Sequence, residues 1–264
     1  MIASGEGSVP TVLVHGGLSE ASEWCLVAGN IPGRVVIPDR PGCGLTYKLD
    51  YGGIDYRTDA LAWMEDLIED VGAEQVNLVG GSMGCYFSMV YALGHPERTR
   101  KLILVGAPAG LHRPIPLFVR LMATPLLSSI IRRLKITDPE ALRKQVFPML
   151  TANPELVPID FLEVSVDAGL LPGVDIASSS MVRAVGTTFG FRHHLRLDDE
   201  VERLDVPTRF VWGDTDAFAP PSIAEDLAPR MPDADIVVLS GAGHVPYLEQ
   251  PEAVTAVVNE FLDS

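Results

Sequence analysis

The chain has 264 residues, 47% of them hydrophobic and 21% charged, enough for one large domain with a substantial core and an insertion on top of it. Its 35 acidic residues against 20 basic ones give a net charge of −15, which repels nucleic-acid backbones and anionic membrane surfaces alike. Cys25, Cys43 and Cys85 are widely spaced and form no Cys-x-x-Cys pair, so neither a disulfide framework nor a zinc site is expected. The stretch from Met1 to Pro10 lacks the basic flank and apolar run of a secretory signal, and no apolar stretch is long enough to span a bilayer. The expectation is a cytoplasmic enzyme with no nucleic-acid partner and no membrane span.

In chain order, Thr11 to His15 is short, apolar and β-branched, and stops at Gly16-Gly17, which predicts a buried strand. Arg34 to Pro38 predicts a second. From Thr58 to Val71, Leu61, Met64, Leu67, Ile68 and Val71 fall on one helical face, with Thr58 or Asp59 able to cap the start and Gly72 placed to end it. Val76 to Gly80 predicts a strand, Met83 to Leu93 a helix stopped by Gly94 and Pro96, and Leu102 to Val105 another strand. The stretch 110–204 then breaks the rhythm. It has helical apolar runs at Leu117 to Leu121, Leu126 to Leu134 and Phe161 to Leu171, is cut by many prolines, and shows no clear buried strand. Arg209 to Trp212 and Asp235 to Leu239 resume the strands, and Pro251 to Leu262 predicts a closing helix. The strands are near-continuously apolar, as strands buried on both faces are. Alternation of strand and helix predicts an α/β fold with a mostly parallel sheet and helices on both faces. The expected organisation is a core of residues 1–109 and 205–264 carrying a helical cap of residues 110–204.

Gly80-Gly81-Ser82-Met83-Gly84 lies between a predicted strand and a predicted helix. A serine on such a sharp turn exposes its hydroxyl above a sheet, and close glycines are needed because side chains would collide with the turn. The following helix offers N–H groups and a partial positive charge to a developing oxyanion. Two further segments point the same way: His15-Gly16-Gly17 after the first clear strand, and Asp39-Arg40-Pro41-Gly42-Cys43-Gly44 after the next. With the Ser82 elbow they resemble the motifs of the α/β-hydrolase superfamily, in its esterase and meta-cleavage-product-hydrolase-like branch with a helical lid, over nearly the whole chain. The resemblance implies an oxyanion hole formed by the backbone N–H groups of Gly17 and Met83.

A serine hydroxyl needs a base, and histidine suits neutral pH. His244, in Gly241-Ala242-Gly243-His244 after the last predicted strand, is last in the family order of serine, acid and histidine. His15 is expected to hold the oxyanion loop, and His95 to sit at a helix end. His193-His194 lacks a third ligand at metal-binding spacing, so no metal and no cofactor is expected. For the acid, Gly213 to Pro220 resembles the family pattern Gly-x-x-Asp-x-x-x-Pro and favours Asp216 over Asp214, which reads as a turn aspartate.

The resemblance implies a serine hydrolase acting through an acyl-enzyme with a Ser82-Asp216-His244 triad. Family members that attack alkyl carbons carry aspartate at the elbow, so Ser82 points to acyl chemistry. A carboxylesterase-like hydrolase of a small, largely apolar ester is expected. C–C hydrolases of meta-cleavage diketones share Ser82-Met83-Gly84, but usually continue with glycine where this chain has Cys85, and commonly carry Trp where it has Val245. A triad-bearing ligand receptor with little turnover is the third alternative. The expected substrate pocket is Leu18, Leu117, Phe118, Leu121, Met122 and Val245; Arg132, Arg133 and Lys135 read as a solvated face. A homo-oligomer is compatible with the sequence.

Overall fold

A computed structural model describes residues 2–5, 9–131 and 135–264. The strands, in chain order, are β1 (Ile2–Ser4), β2 (Thr11–Val14), β3 (Val35–Ile37), β4 (Val76–Gly81), β5 (Thr99–Val105), β6 (Gly186–Thr187), β7 (Gly190–Phe191), β8 (Thr208–Gly213) and β9 (Ala234–Leu239). Seven of them form one sheet in the order β1-β3-β2-β4-β5-β8-β9. Only β1 runs antiparallel, pairing Ala3 with Val36. The register carries one row across the parallel part: Val36, Val12, Leu78, Leu102, Thr208 and Ala234. The fold is the α/β-hydrolase fold expected, with a mostly parallel central sheet between helices.

Why the strands read as unbroken apolar runs is visible in how alternate residues divide. Val12, Val14, Leu78, Leu102, Leu104 and Phe210 bury into one cluster with the helices Tyr56–Val71 and Met83–Gly94. Leu13, Val79, Ile103, Val105 and Val211 bury into another with Trp24 and the helix Pro251–Asp263. The central strands are covered on both faces, so their inner positions are filled almost entirely by apolar side chains.

Helix boundaries differ from expectation at one cap. The helix Tyr56–Val71 begins three residues earlier than Asp59, because the Asp55 carboxylate accepts from the N–H groups of Arg57 and Thr58. Its end is as expected: Gly72 at φ 70° closes it.

Between β5 and β8 lie the helices Leu117–Met122, Pro125–Ile131, Pro139–Gln145, Ile159–Leu170 and Val174–Val185. The last was not expected, because its polar Ser178-Ser179-Ser180 run hides a buried stripe of Ala177, Met181 and Val185, four residues apart. The small hairpin β6–β7 was also missed; two-residue strands carry no periodicity to read. Arg132 and Arg133 lie outside the described residues, and Lys135 is exposed. Among the described residues no helix is long and apolar enough to cross a membrane.

Replacing Asp55 with Ala should lower the unfolding free energy by about 1 kcal/mol in urea titrations, as loss of a side-chain cap does. Asp59→Ala should leave it within about 0.5 kcal/mol; the reverse ranking would restore the cap to Asp59.

Candidate active site

Loops leave the sheet at the carboxyl ends of its parallel strands and meet there, where open α/β sheets hold their ligands. His15-Gly16-Gly17 follows β2, Ser82 follows β4, Asp216 follows β8 and His244 follows β9. Ser82 stands at φ 48°, ψ −106°, a conformation L side chains avoid and one that costs on the order of 1–3 kcal/mol. The glycines permit it. A Cβ on Gly80 would lie 2.5 Å from the Cys85 nitrogen, and one on Gly84 would lie 2.0 Å from the Val14 oxygen. The turn can therefore close only with glycine at both positions.

Three side chains meet across these loops. Ser82 Oγ lies 2.8 Å from His244 Nε2. His244 Nδ1 lies 3.0 and 2.9 Å from the two Asp216 oxygens. Asp216 also accepts from the N–H groups of Ala107 and Phe218, each at 2.8 Å, which locks its carboxylate in plane. These contacts select the tautomer in which Nδ1 donates to Asp216 and Nε2 accepts the serine proton. The Phe218 ring stacks on the imidazole, 3.8 Å between centroids and 13° between planes. Asp216 and His244 are buried, whereas Ser82 is partly exposed. Asp214 does not reach the histidine. It accepts from Gly241 N–H at 2.8 Å and from the Ser240 hydroxyl at 3.1 Å, bracing the turn after β9.

Gly17 and Met83 are neighbours: a Cβ on Gly17 would lie 3.6 Å from the Met83 Cβ. Among the described residues, neither N–H has a protein acceptor. Met83, next to Ser82, opens the helix after β4, and Gly17 lies beside it in the loop after β2.

The expected pocket residues divide by helical face. In Leu117–Met122, Phe118 and Met122 turn inward, and Phe118 meets Phe218 edge-to-face at 5.9 Å. Leu117 and Leu121, four apart on the adjoining side of the helix, are 65% and 42% exposed. Val245 is buried in an apolar cluster against the sheet, and its N–H and that of His244 both donate to the Leu150 oxygen. Leu18 is 48% exposed and sits at φ 62°. Met181, which the sequence did not single out, brings its Cε to 3.5 Å from the Gly17 Cβ position.

Residues 11–257 match the sequence profile of the alpha/beta hydrolase family. The chain belongs to that family. It is 22% identical to a 2-hydroxy-6-oxononadienedioate/2-hydroxy-6-oxononatrienedioate hydrolase of Cupriavidus pinatubonensis over 98% of this chain and 88% of that protein. It is 31% identical to a dihydrolipoyllysine-residue acetyltransferase component of the acetoin cleaving system of Pseudomonas putida, over 98% of this chain but only 64% of that longer one. Among solved structures, a thermophilic esterase from Thermogutta terrifontis superposes with a TM-score of 0.77 at 25% identity, covering 99% of this chain and 92% of the other.

Further polar residues at this sheet edge hold its loops in place. Glu249 accepts from Gly243 N–H at 2.7 Å and Asn153 N–H at 2.8 Å, joining the histidine loop to the insertion; its burial raises its pKa. Glu23, fully buried, accepts from Gly16 N–H at 3.3 and 3.1 Å and from the Tyr247 hydroxyl. Burial pushes its pKa to about 7. Cys85 is buried with its thiol against the Gly80 oxygen, and burial pushes its pKa up, away from nucleophilic use. His193 and His194 line a surface hollow of about 410 Å³ that contains none of Ser82, Asp216 or His244.

Glu23 makes stability depend on pH. Its pKa rises from 4.5 to about 7 on folding, so the folded chain holds that proton more tightly. The stabilisation is present below pH 4.5 and is lost as pH rises through 7, on the order of 3 kcal/mol. In Glu23→Gln, the decline in unfolding free energy between pH 4.5 and 7.5 should be shallower by roughly that amount; parallel curves for the two proteins would exclude it.

Proposed function

We propose that the protein is a serine hydrolase that cleaves the ester bond of a small, largely apolar substrate through an acyl-enzyme. The observation that carries the reading is the continuous hydrogen-bonded line from Asp216 through His244 to Ser82 Oγ, with the free N–H of Met83, the residue after Ser82, at its serine end. Ser82 Oγ attacks the acyl carbon as His244 Nε2 takes its proton, and Asp216 stabilises the resulting imidazolium. The carbonyl oxygen becomes an anion facing the N–H groups of Gly17 and Met83. His244 then gives the proton to the leaving alcohol, and a water activated by the same histidine releases the acid.

An ester is favoured over a C–C bond by the walls. Met181 beside Gly17, and Phe118 behind Phe218, are apolar and suit an acyl chain. A ring-cleavage dienoate would bring a carboxylate that needs a cation or several donors. The similarity to the Cupriavidus hydrolase keeps C–C cleavage as the second reading. On either reading, residues 110–204 act as the lid that closes over the acyl group.

Assays with a series of p-nitrophenyl esters and with a ring-cleavage dienone distinguish the readings. Ester turnover with a burst of nitrophenol, and no loss of the dienone chromophore, is expected; the opposite result would establish the C–C hydrolase. Slow single turnover with tight retention would instead mark a ligand receptor. Ser82→Ala and His244→Ala should each abolish ester turnover, and Asp216→Asn should lower kcat by about 10⁴. Asp214→Asn should stay near wild type, and a silent Asp216→Asn beside an inactive Asp214→Asn would overturn the assignment of the acid.

A further inference from the structure

The loop that bears Gly17 is held peptide by peptide. Arg40 is fully buried, and its Nε donates to the His15 oxygen at 3.0 Å while its Nη2 donates to the Gly16 oxygen. His15 Nε2 accepts the Arg40 backbone N–H at 2.9 Å, so Nδ1 carries the proton and donates to the same Gly16 oxygen at 2.9 Å. Burial and the neighbouring guanidinium hold the His15 pKa well below its ordinary value, so the ring is neutral and keeps this tautomer. From the other side Glu23 accepts the Gly16 N–H. Two successive peptide planes are thereby fixed.

The Gly16 oxygen and the Gly17 nitrogen belong to one peptide group. That oxygen receives two donors, one of them a charged guanidinium, and polarisation of the carbonyl strengthens the N–H at the far end of the same amide. The Gly17 N–H is the one with no protein acceptor. Arg40 is also unusual as a structural residue. Its hydrogen-bond acceptors are two backbone carbonyls and, at 3.9 Å, the Cys43 sulfur, with the Tyr56 hydroxyl and the Glu23 carboxylate close by, and its guanidinium lies 5.1 Å above the Phe87 ring. Burying a cation this way costs stability. A cation here gains most when negative charge appears on the other side of the peptide.

We propose that Arg40 is a positioning residue of the oxyanion hole, its guanidinium aiming and polarising the Gly16–Gly17 peptide so that the Gly17 N–H binds the developing oxyanion. The role rests on the acyl-transfer reading of the site. Because the charge it serves exists only in the transition state, its removal affects kcat and leaves KM alone.

The test uses Arg40→Met and Arg40→Lys, with p-nitrophenyl butyrate as substrate and phenyl trifluoromethyl ketone as a probe that forms a tetrahedral adduct on Ser82. Arg40→Met should lower kcat roughly 100-fold with KM within about twofold, and weaken the ketone in parallel with kcat, since losing one oxyanion donor costs about 10²–10³. Arg40→Lys, which keeps the charge and reaches one carbonyl, should recover roughly tenfold of that loss. Thermal melting reports whether each variant folds, and if Arg40→Met does not, a fall in kcat and ketone affinity in Arg40→Lys at constant KM carries the proposal alone. A folded variant series with unchanged kcat, or with KM rising in proportion and ketone affinity intact, overturns it. Absence of any acyl intermediate in the wild-type enzyme would overturn the reading of the site and this role with it, whereas wild-type turnover with unchanged kcat and ketone affinity in a folded Arg40→Met would remove only the role of Arg40.

Discussion

The end of β2 and the start of the helix after β4 approach so closely that no side-chain carbon fits between Gly84 and the Val14 oxygen. The rest of the site depends on this contact. It brings the loop bearing Gly17 alongside Met83, so that two N–H groups from distant parts of the chain face the same space beside Ser82. It also leaves the serine on a backbone that would not persist in isolation, and the packed strands on either side hold it there. The strain is tolerable because β2, β4 and β5 are buried on both faces and pair over their length.

The second half of the site comes from tying the histidine loop down. His244 is oriented by Asp216 in front, by the Phe218 ring on its face and by the Leu150 oxygen behind its N–H. Glu249 secures the same loop through Gly243 and Asn153. Leu150 and Asn153 lie in the segment between β5 and β8, so that segment also fixes the position of His244. A substitution in the insertion can therefore alter the chemistry as well as the fit of a substrate. The buried polar network around Glu23, Tyr247 and Arg40 does the corresponding work for the oxyanion loop, at the cost of charged groups removed from water.

How much of this was legible in the sequence follows from the range of each interaction. The parallel strands were legible because double-sided burial forces unbroken apolar runs, and Gly72 because a helix ends where φ turns positive. The candidate triad was legible because serine, acid and histidine each sit in a short motif after a strand. The cap at Asp55 was misplaced by a few residues because several polar side chains near a helix start are equally able to cap it. The helix Val174–Val185 was missed because three serines interrupt its stripe. Phe118 and Leu117 could not be separated, since periodicity reveals two faces of a helix but not which one turns inward.

The sequence by itself determined the architecture and placed the candidate serine, acid and histidine in order after successive strands, because these are encoded in local patterns of glycine, apolar runs and short motifs. Only the tertiary structure decided that the Leu150 oxygen holds the His244 loop, that Val245 packs into the core, and that Arg40 and Glu23 grip the Gly16 peptide from opposite sides. Those relations join different loops and elements, as between Leu150 and His244, and such a contact leaves no periodic mark on the chain that makes it.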